Sequence, residues 1–95
     1  MAIYRLSEAA DSDLERLYNF GTENFGLVLA NQYFDGMVDR FQRIANIPRL
    51  YPAVDDSRKG YRRSVFGSHS IYYVLIDDGV KIVRILSRED PKRTF

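Results

Sequence analysis

The sequence predicts an α+β fold in which a helical hairpin packs on one face of a mostly antiparallel sheet. Three observations predict it: a long apolar stripe at helical spacing in the first half, alternating apolar residues in the second half, and turn signals between the alternating segments. The predicted order of elements is β-α-α-β-β-β, and we expect residues 1–95 to form a single domain.

The first half of the chain predicts one short strand and two helices. Residues 2–6 alternate polar and apolar side chains, as a strand does. Ser7 is the expected N-cap of a helix over 8–23, because its hydroxyl can accept a hydrogen bond from a free N–H of the first turn. A second helix is predicted over 27–45 from a stripe of Leu27, Ala30, Phe34, Met37, Phe41 and Ile44. Gly36 within it indicates either close approach of a neighbouring backbone or simple tolerance.

The second half predicts a long connection and three strands. Leu50 and Tyr51 are expected to anchor the connection over 46–60. The predicted strands are 61–66, 69–76 and 80–86, with the middle one central in the sheet. Asp78-Gly79 is the expected two-residue turn of the last hairpin. Strict alternation assigns one face of the last strand to Val80, Ile82, Arg84 and Leu86.

Charge and composition limit the range of possible functions. Residues 1–45 carry a net charge of −3 and residues 46–95 a net charge of +4. This asymmetry favours a basic face that meets nucleic acid or an acidic protein segment, although a solvated sheet face of mixed charge would give the same pattern. The chain has no cysteine, which excludes disulfides and thiolate metal sites. No apolar run approaches the length of about 20 residues that a membrane span needs, and we expect a cytoplasmic protein without a cofactor.

The residues do not form a recognisable catalytic set, and we expect no catalytic residue. Arginines bind phosphate but keep their charge, so they are poor proton carriers. His69 is the only histidine and the only side chain that ordinarily titrates near neutral pH. The paired acids at 55–56 and 77–78 lie in predicted turns, where turn formation explains them better than metal binding does.

The pattern resembles the ParE/RelE superfamily of toxins from bacterial toxin–antitoxin systems, and within it the ParE branch. The resemblance covers nearly the whole chain and rests on these residues: Ala10, Asp13 and Leu14; Tyr61, Arg62 and Arg63; Gly67, His69, Ile71 and Tyr73; Gly79; Arg84, Ile85 and Leu86; Asp90 and Pro91. It implies a RelE/ParE-like fold and a toxin that poisons DNA gyrase by trapping its cleaved-DNA complex through binding, with nucleic acid involved only indirectly.

The RelE branch, whose members cut messenger RNA on the ribosome, is the alternative. Arg62 and Ser64 stand where that branch often has lysines, Ser70 stands where it has arginine, and Asp90 stands where another basic group is expected. No Tyr or His follows Tyr73. A RelE-like ribonuclease with a rearranged site would depend on His69 and Arg63. A third alternative is an inactive module that only sequesters an antitoxin.

The resemblance also implies a ParD-like antitoxin that folds on contact, placing an apolar helix between hairpin and sheet and adding a strand at the sheet edge. The candidate antitoxin contacts are Leu14, Tyr18, Tyr33, Met37, Tyr51, Arg62, Arg63 and Arg84. Each apolar or aromatic residue among them could instead belong to the core. The candidate gyrase contacts are Arg88, Lys92, Arg93 and Phe95 in the basic tail, and the alternative for these is a frayed terminus.

Overall fold

The computed structural model describes residues 2–54 and 60–88 and has the predicted fold class and element order. Its elements are β1 (Ile3–Leu6), α1 (Glu8–Phe25), α2 (Leu27–Asn46), β2 (Arg62–Phe66), β3 (His69–Ile76) and β4 (Gly79–Ser87). Two helices pack on one face of a single four-stranded sheet with the strand order β1-β4-β3-β2. The first and last strands along the chain are therefore neighbours: β1 runs parallel to β4, whereas β2 with β3 and β3 with β4 are antiparallel.

The core lies between α2 and the two interior strands. Met37, Phe41 and Ile44 of α2 are fully buried against the sheet. The sheet contributes the buried side chains Ile71, Tyr73, Val80, Ile82 and Ile85. The predicted interior position of β3 is confirmed, and β4 shares it.

Ser7 joins the sheet to the first helix. Its hydroxyl accepts the N–H of Ala10 at 3.0 Å, which confirms the predicted cap, and donates to the carbonyl of Val83 at 2.9 Å. Its own N–H donates to the carbonyl of Ile82 at 2.9 Å. The start of α1 is therefore fixed against β4. The hairpin turns at Gly26, whose φ of 89° suits glycine.

Tyr73 anchors the connection that follows α2. Its buried hydroxyl donates to the carbonyl of Pro48 at 2.6 Å, and burial raises the pKa of Tyr73 to about 12. Arg62 donates to the carbonyl of Tyr51 at 2.6 Å, so the predicted anchoring at Tyr51 includes its backbone. The expectation for Leu50 is wrong, because its side chain is 54% exposed.

A β-bulge in β4 overturns the strict alternation predicted for that strand. Tyr72 lies opposite Arg84, but the next residue, Tyr73, lies opposite Ile82, so Val83 is an extra residue. Beyond the bulge, Ile85 joins the core opposite Ile71. Arg84 and Leu86 therefore leave the face that they were predicted to share with Val80 and Ile82.

Gly79 and Gly36 lie so close to neighbouring atoms that an added Cβ would force those atoms to move. The last turn consists of Asp77 and Asp78, one residue earlier than predicted, and Gly79 begins β4. A Cβ at Gly79 would lie 1.8 Å from the carbonyl oxygen of Ile3, so the β1–β4 pairing requires glycine there. At Gly36 a Cβ would lie 2.9 Å from the ring of Phe66, so the close neighbour is a side chain and the expected approach of a backbone is wrong.

Candidate partner-binding surfaces

An apolar groove of about 560 Å³ opens between the helical hairpin and the β2–β3 turn. Its lining comes from the second half of α1, the first half of α2, β2 and the start of β3: Leu17, Tyr18, Phe20, Gly21, Phe25, Leu29, Ala30, Gln32, Tyr33, Phe66, Ser68 and His69. The groove is open along one side, so it can admit a segment of another chain.

The rim of the groove is apolar and exposed. Phe20 is 61% exposed, Phe25 63% and Leu29 56%. The rings of Phe20 and Phe25 contact each other edge to face, with 6.3 Å between their centroids. Apolar surface in such a cluster favours burial against a partner.

Tyr33 forms the polar end of the groove. Its hydroxyl accepts the N–H of Ser68 at 3.2 Å and lies 3.1 Å from the carbonyl oxygen of Phe66. Nδ1 of His69 lies 2.8 Å from the same hydroxyl. The ring also covers the β2–β3 turn, because a Cβ on Gly67 would lie 2.6 Å from the Tyr33 oxygen. Tyr33 therefore fixes the turn and the histidine against α2.

The predicted antitoxin contacts do not all share one surface. Tyr18 and Tyr33 line the groove. Leu14 is 8% exposed and Met37 is fully buried, so both have core positions. Tyr51 lies on another part of the surface, where its ring is 5.8 Å from the Arg40 guanidinium. The groove thus draws together only part of the predicted set.

The three predicted arginines have three different environments. Arg62 is held by the carbonyl of Tyr51. Arg63 is exposed on the sheet face that points away from the helices, opposite Tyr72 in the register. Arg84 donates two hydrogen bonds to Asp13 of α1, from Nε at 2.7 Å and from Nη2 at 2.9 Å.

Asp13 accepts hydrogen bonds from two arginines and one backbone N–H at the free edge of β4. Besides Arg84, it accepts from Arg16 at 2.5 Å and from the backbone N–H of Ile85 at 3.0 Å. Burial by itself would raise the pKa of Asp13, but these hydrogen bonds and the two positive charges outweigh burial and lower it. The same pair raises the pKa of Arg84, mainly through its hydrogen bond to Asp13. Asp13 is therefore an ionised structural residue.

His69 and Arg63 lie on opposite faces of the sheet. His69 shares the helix-facing side with Ile71 and Tyr73, and it lines the groove. Arg63 lies opposite Tyr72, on the other side. The two residues on which a rearranged ribonuclease site would depend are thus separated by the sheet.

The rim residues of the groove were missed in the sequence. Phe20, Phe25 and Leu29 lie outside the periodic apolar positions that predict the helices, and Phe66 was assigned only to a strand. Leu27, Val28 and Leu29 form an apolar run at the start of a helix, where a buried stripe would need only one of them. That excess was the available signal.

Most of the predicted gyrase contacts lie outside the described residues. The structure does not describe Lys92, Arg93 and Phe95. It also does not describe Asp90 and Pro91, on which the family resemblance partly rests, or the paired acids at 55–56. Arg88 is described, and it closes the β2–β3 turn. Its backbone N–H donates to the carbonyl of Ser68 at 2.8 Å, and its guanidinium donates to the carbonyl of Gly67 at 3.3 Å.

Within residues 2–54 and 60–88, no group of three or more His, Cys, Asp or Glu side chains is placed to hold a metal ion. In the same part of the chain, no helix combines the length and the apolar character needed to cross a membrane.

Comparison with solved structures defines the class of fold. A chain from the chromosomal ParDE toxin–antitoxin system of P. aeruginosa superposes with a TM-score of 0.78 at 16% identity, covering 92% of this chain and 96% of that one. A chain of the E. coli DinJ–YafQ complex gives a TM-score of 0.53 at 15% identity, covering 98% and 100%. At these identities the similarity shows a common fold, and both complexes are toxin–antitoxin assemblies.

Sequence comparison then shows the family. The model of the ParE toxin of type II toxin–antitoxin systems matches residues 4–91. Toxin ParE1 of Mycobacterium tuberculosis is 34% identical over 84 residues, covering 87% of this chain and 86% of the relative. Toxin ParE1 of Caulobacter vibrioides is 31% identical over 86 residues, covering 90% and 88%. The chain belongs to the ParE family of type II toxins.

Proposed function

We propose that this toxin inhibits DNA gyrase by binding the enzyme and trapping its cleaved-DNA complex, and that a ParD-like antitoxin neutralises it. Membership of the ParE family supports the proposal. The observation that carries it is the separation of His69 and Arg63 by the sheet, because it favours action through binding.

Hydrolysis of a phosphodiester needs proton transfer and charge stabilisation at the same atom. His69 contacts Tyr33 inside the groove, whereas Arg63 points from the opposite face. Arg84, a second candidate for phosphate, is engaged by Asp13. This arrangement supports a toxin that acts as a ligand of its target.

The groove is the proposed antitoxin site. An amphipathic helix laid along it would cover Phe20, Phe25 and Leu29 and would contact the hydroxyl of Tyr33. Of the antitoxin contacts first predicted, Tyr18 and Tyr33 remain in this proposal, whereas the burial of Leu14 and Met37 argues against direct contact. Arg62 and Arg63 remain candidates to bind acidic side chains of an antitoxin segment that continues along the sheet edge.

The β2 edge is the proposed site of strand addition. The free edge of β4 beyond β1 is already occupied by Asp13, which accepts the N–H of Ile85. The first part of the β2 edge is covered by residues 52–54, since Arg63 donates to the carbonyl of Pro52. An added strand would therefore begin to pair beyond the N–H of Arg63, and it would displace Arg40, which donates to the carbonyl of Val65 at 2.8 Å.

A supercoiling assay with purified proteins tests the proposal. We expect the toxin to block supercoiling by DNA gyrase and the ParD-like antitoxin to restore it at equimolar amounts. Site-specific cuts in translated messenger RNA, lost in His69→Ala, would instead support the ribonuclease. Absence of growth arrest on expression without antitoxin would support an inactive module.

The basic tail is the proposed gyrase contact, and its deletion should start after Arg88. Arg88 closes the β2–β3 turn, so the deletion removes residues 89–95 and keeps the contacts of Arg88 with Gly67 and Ser68. We expect this deletion to abolish gyrase inhibition while antitoxin binding is kept. Full inhibition by the shortened toxin would remove the tail from the proposal.

A further inference from the structure

The strands and the first helix carry opposite charge. The four strands contain five basic residues, Arg5, Arg62, Arg63, Lys81 and Arg84, and no Asp or Glu. Helix α1 contains five acidic residues, Glu8, Asp11, Asp13, Glu15 and Glu23, and one basic residue, Arg16. Since the helices cover only one face of the sheet, the other face, which we call the open face, presents positive charge.

The strand register gathers four of these charges on the open face. Arg5 of β1 lies directly opposite Lys81 of β4. In the next row Tyr72 of β3 lies between Arg63 of β2 and Arg84 of β4. The bulge in β4 contributes to this row, because without it Arg84 would point towards the helices.

The positive charge on the open face is only partly neutralised. Like charges placed directly opposite each other on neighbouring strands are destabilising. Arg5 contacts Asp78 at 3.4 Å, in an exposed pair that contributes little. Arg84 shares Asp13 with Arg16, so that group keeps a net positive charge. Among residues 2–54 and 60–88, Arg63 and Lys81 form no ion pair.

We propose that the open face binds duplex DNA directly, through phosphate contacts from Arg5, Arg63 and Lys81. Arg63 and Lys81 form no ion pair among the described residues, and the exposed pair of Arg5 with Asp78 is weak, so all three side chains can turn to a phosphate backbone. Such contacts supply affinity without sequence preference. The acidic first helix would be repelled by the same DNA, so the molecule docks sheet first. The choice of DNA over RNA rests on the proposed action at gyrase, and the contact adds a direct interaction to a function otherwise expected to reach nucleic acid only indirectly.

The test is fluorescence anisotropy of a labelled blunt duplex titrated with the toxin alone, without gyrase. Three phosphate contacts predict a slope of about −2.7 for log affinity against log salt, which is roughly a 40-fold loss between 50 and 200 mM salt. The double variant Arg63→Gln/Lys81→Gln should bind at least about tenfold more weakly at 50 mM salt and lower the slope to about −0.9.

Arg43→Gln is the matched control, because Arg43 is exposed on α2 and lies away from the open face. It should bind the duplex as the unchanged toxin does. Unchanged affinity in the double variant, an equal loss in Arg43→Gln, or no binding at 50 mM salt would overturn the proposal. Tighter binding to single-stranded RNA than to the duplex would overturn the assignment to DNA.

Supercoiling assays of the same variants separate this proposal from the proposed function. Gyrase inhibition by a toxin that binds no duplex would overturn the DNA contact alone. Duplex binding by a toxin that leaves gyrase active would overturn the gyrase proposal and leave the binding face in place.

Discussion

Asp13 shows how one residue can hold distant parts of the chain together. Its carboxylate lies on α1, yet it accepts hydrogen bonds from Arg84 and from the N–H of Ile85 on β4. Strand β1 ends at Leu6, so β4 has no strand partner beside Ile85, and the carboxylate takes the place of one. The sequence pointed to Asp13 only through family resemblance, because helical spacing cannot reveal a partner 71 residues away.

Asp13→Asn should destabilise the fold at neutral pH. The amide can accept from only one side, so Arg84 or the Ile85 N–H loses its acceptor, at a cost of about 1–3 kcal/mol. Because the pKa of Asp13 is lower in the folded protein than its ordinary value of 3.8, the ionised carboxylate stabilises the fold at pH values above 3.8. This contribution is lost as the pH falls through the pKa of the folded state. Urea unfolding at pH 7, 5 and 3 measures both effects.

The difference between the variant and the unchanged protein should be constant from pH 7 to 5 and should shrink at pH 3 and below. Asp11→Asn is the control, because Asp11 is exposed in the first turn of the same helix and contributes only a few tenths of a kcal/mol to about 1 kcal/mol. A loss in Asp13→Asn no larger than that in the control would contradict the structural role of Asp13.

At the scale of elements, β4 departs most from its predicted pattern. Helices and strands were predictable because apolar periodicity reports which face is buried, and every element appears within a few residues of its predicted bounds. The bulge at Val83 was not predictable, since it depends on how β3 and β4 pair. The bulge places Ile85 in the core and Arg84 beside Tyr72 on the other face of the sheet.

Gly79→Ala should disrupt the pairing of β1 with β4. The new Cβ would overlap the carbonyl of Ile3, and relieving that overlap requires β1 to move, at a cost above about 2 kcal/mol. Thermal unfolding and amide exchange at Ile3 and Ser7, whose N–H groups donate to the carbonyls of Asp78 and Ile82, would detect it. Gly60→Ala is the control, because Gly60 also has a positive φ of 88° but nothing within 4 Å. Equal losses of stability in both variants would mean that the positive φ, and not the overlap with Ile3, causes the effect.

The groove between the two layers allows a matched pair of substitutions on neighbouring residues. Leu29 lines the groove, whereas Val28, at 69% exposure, does not. Both lie in the first turn of α2, so an Asp at either has the same favourable relation to the helix dipole. Leu29→Asp should weaken antitoxin binding by at least about 2 kcal/mol, roughly 30-fold, since it removes apolar burial and introduces a charge.

Val28→Asp should bind the antitoxin as the unchanged toxin does, and both variants should keep their melting temperature. Isothermal titration with the ParD-like antitoxin provides the measurement. Equal affinity of the two variants would place the antitoxin somewhere other than the groove.

At the scale of the whole molecule, a helical layer whose first helix is acidic and a basic sheet enclose a small core. The charge difference between the two halves was visible in the sequence, and the structure shows that it follows the layers. The groove was only partly predictable, because Tyr18 and Tyr33 were identified but its rim at Phe20, Phe25 and Leu29 was not. Exposed apolar residues follow no periodicity, so only the folded chain reveals that they meet.

The central claim is that this toxin acts by binding, and detection of DNA breaks tests it most directly. Plasmid DNA is incubated with toxin, with gyrase, or with both, and is then treated with detergent and protease before electrophoresis. Linear DNA should accumulate only when both proteins are present, and the same toxin should leave translated messenger RNA intact. Breaks in DNA or RNA made by the toxin without gyrase would contradict the account.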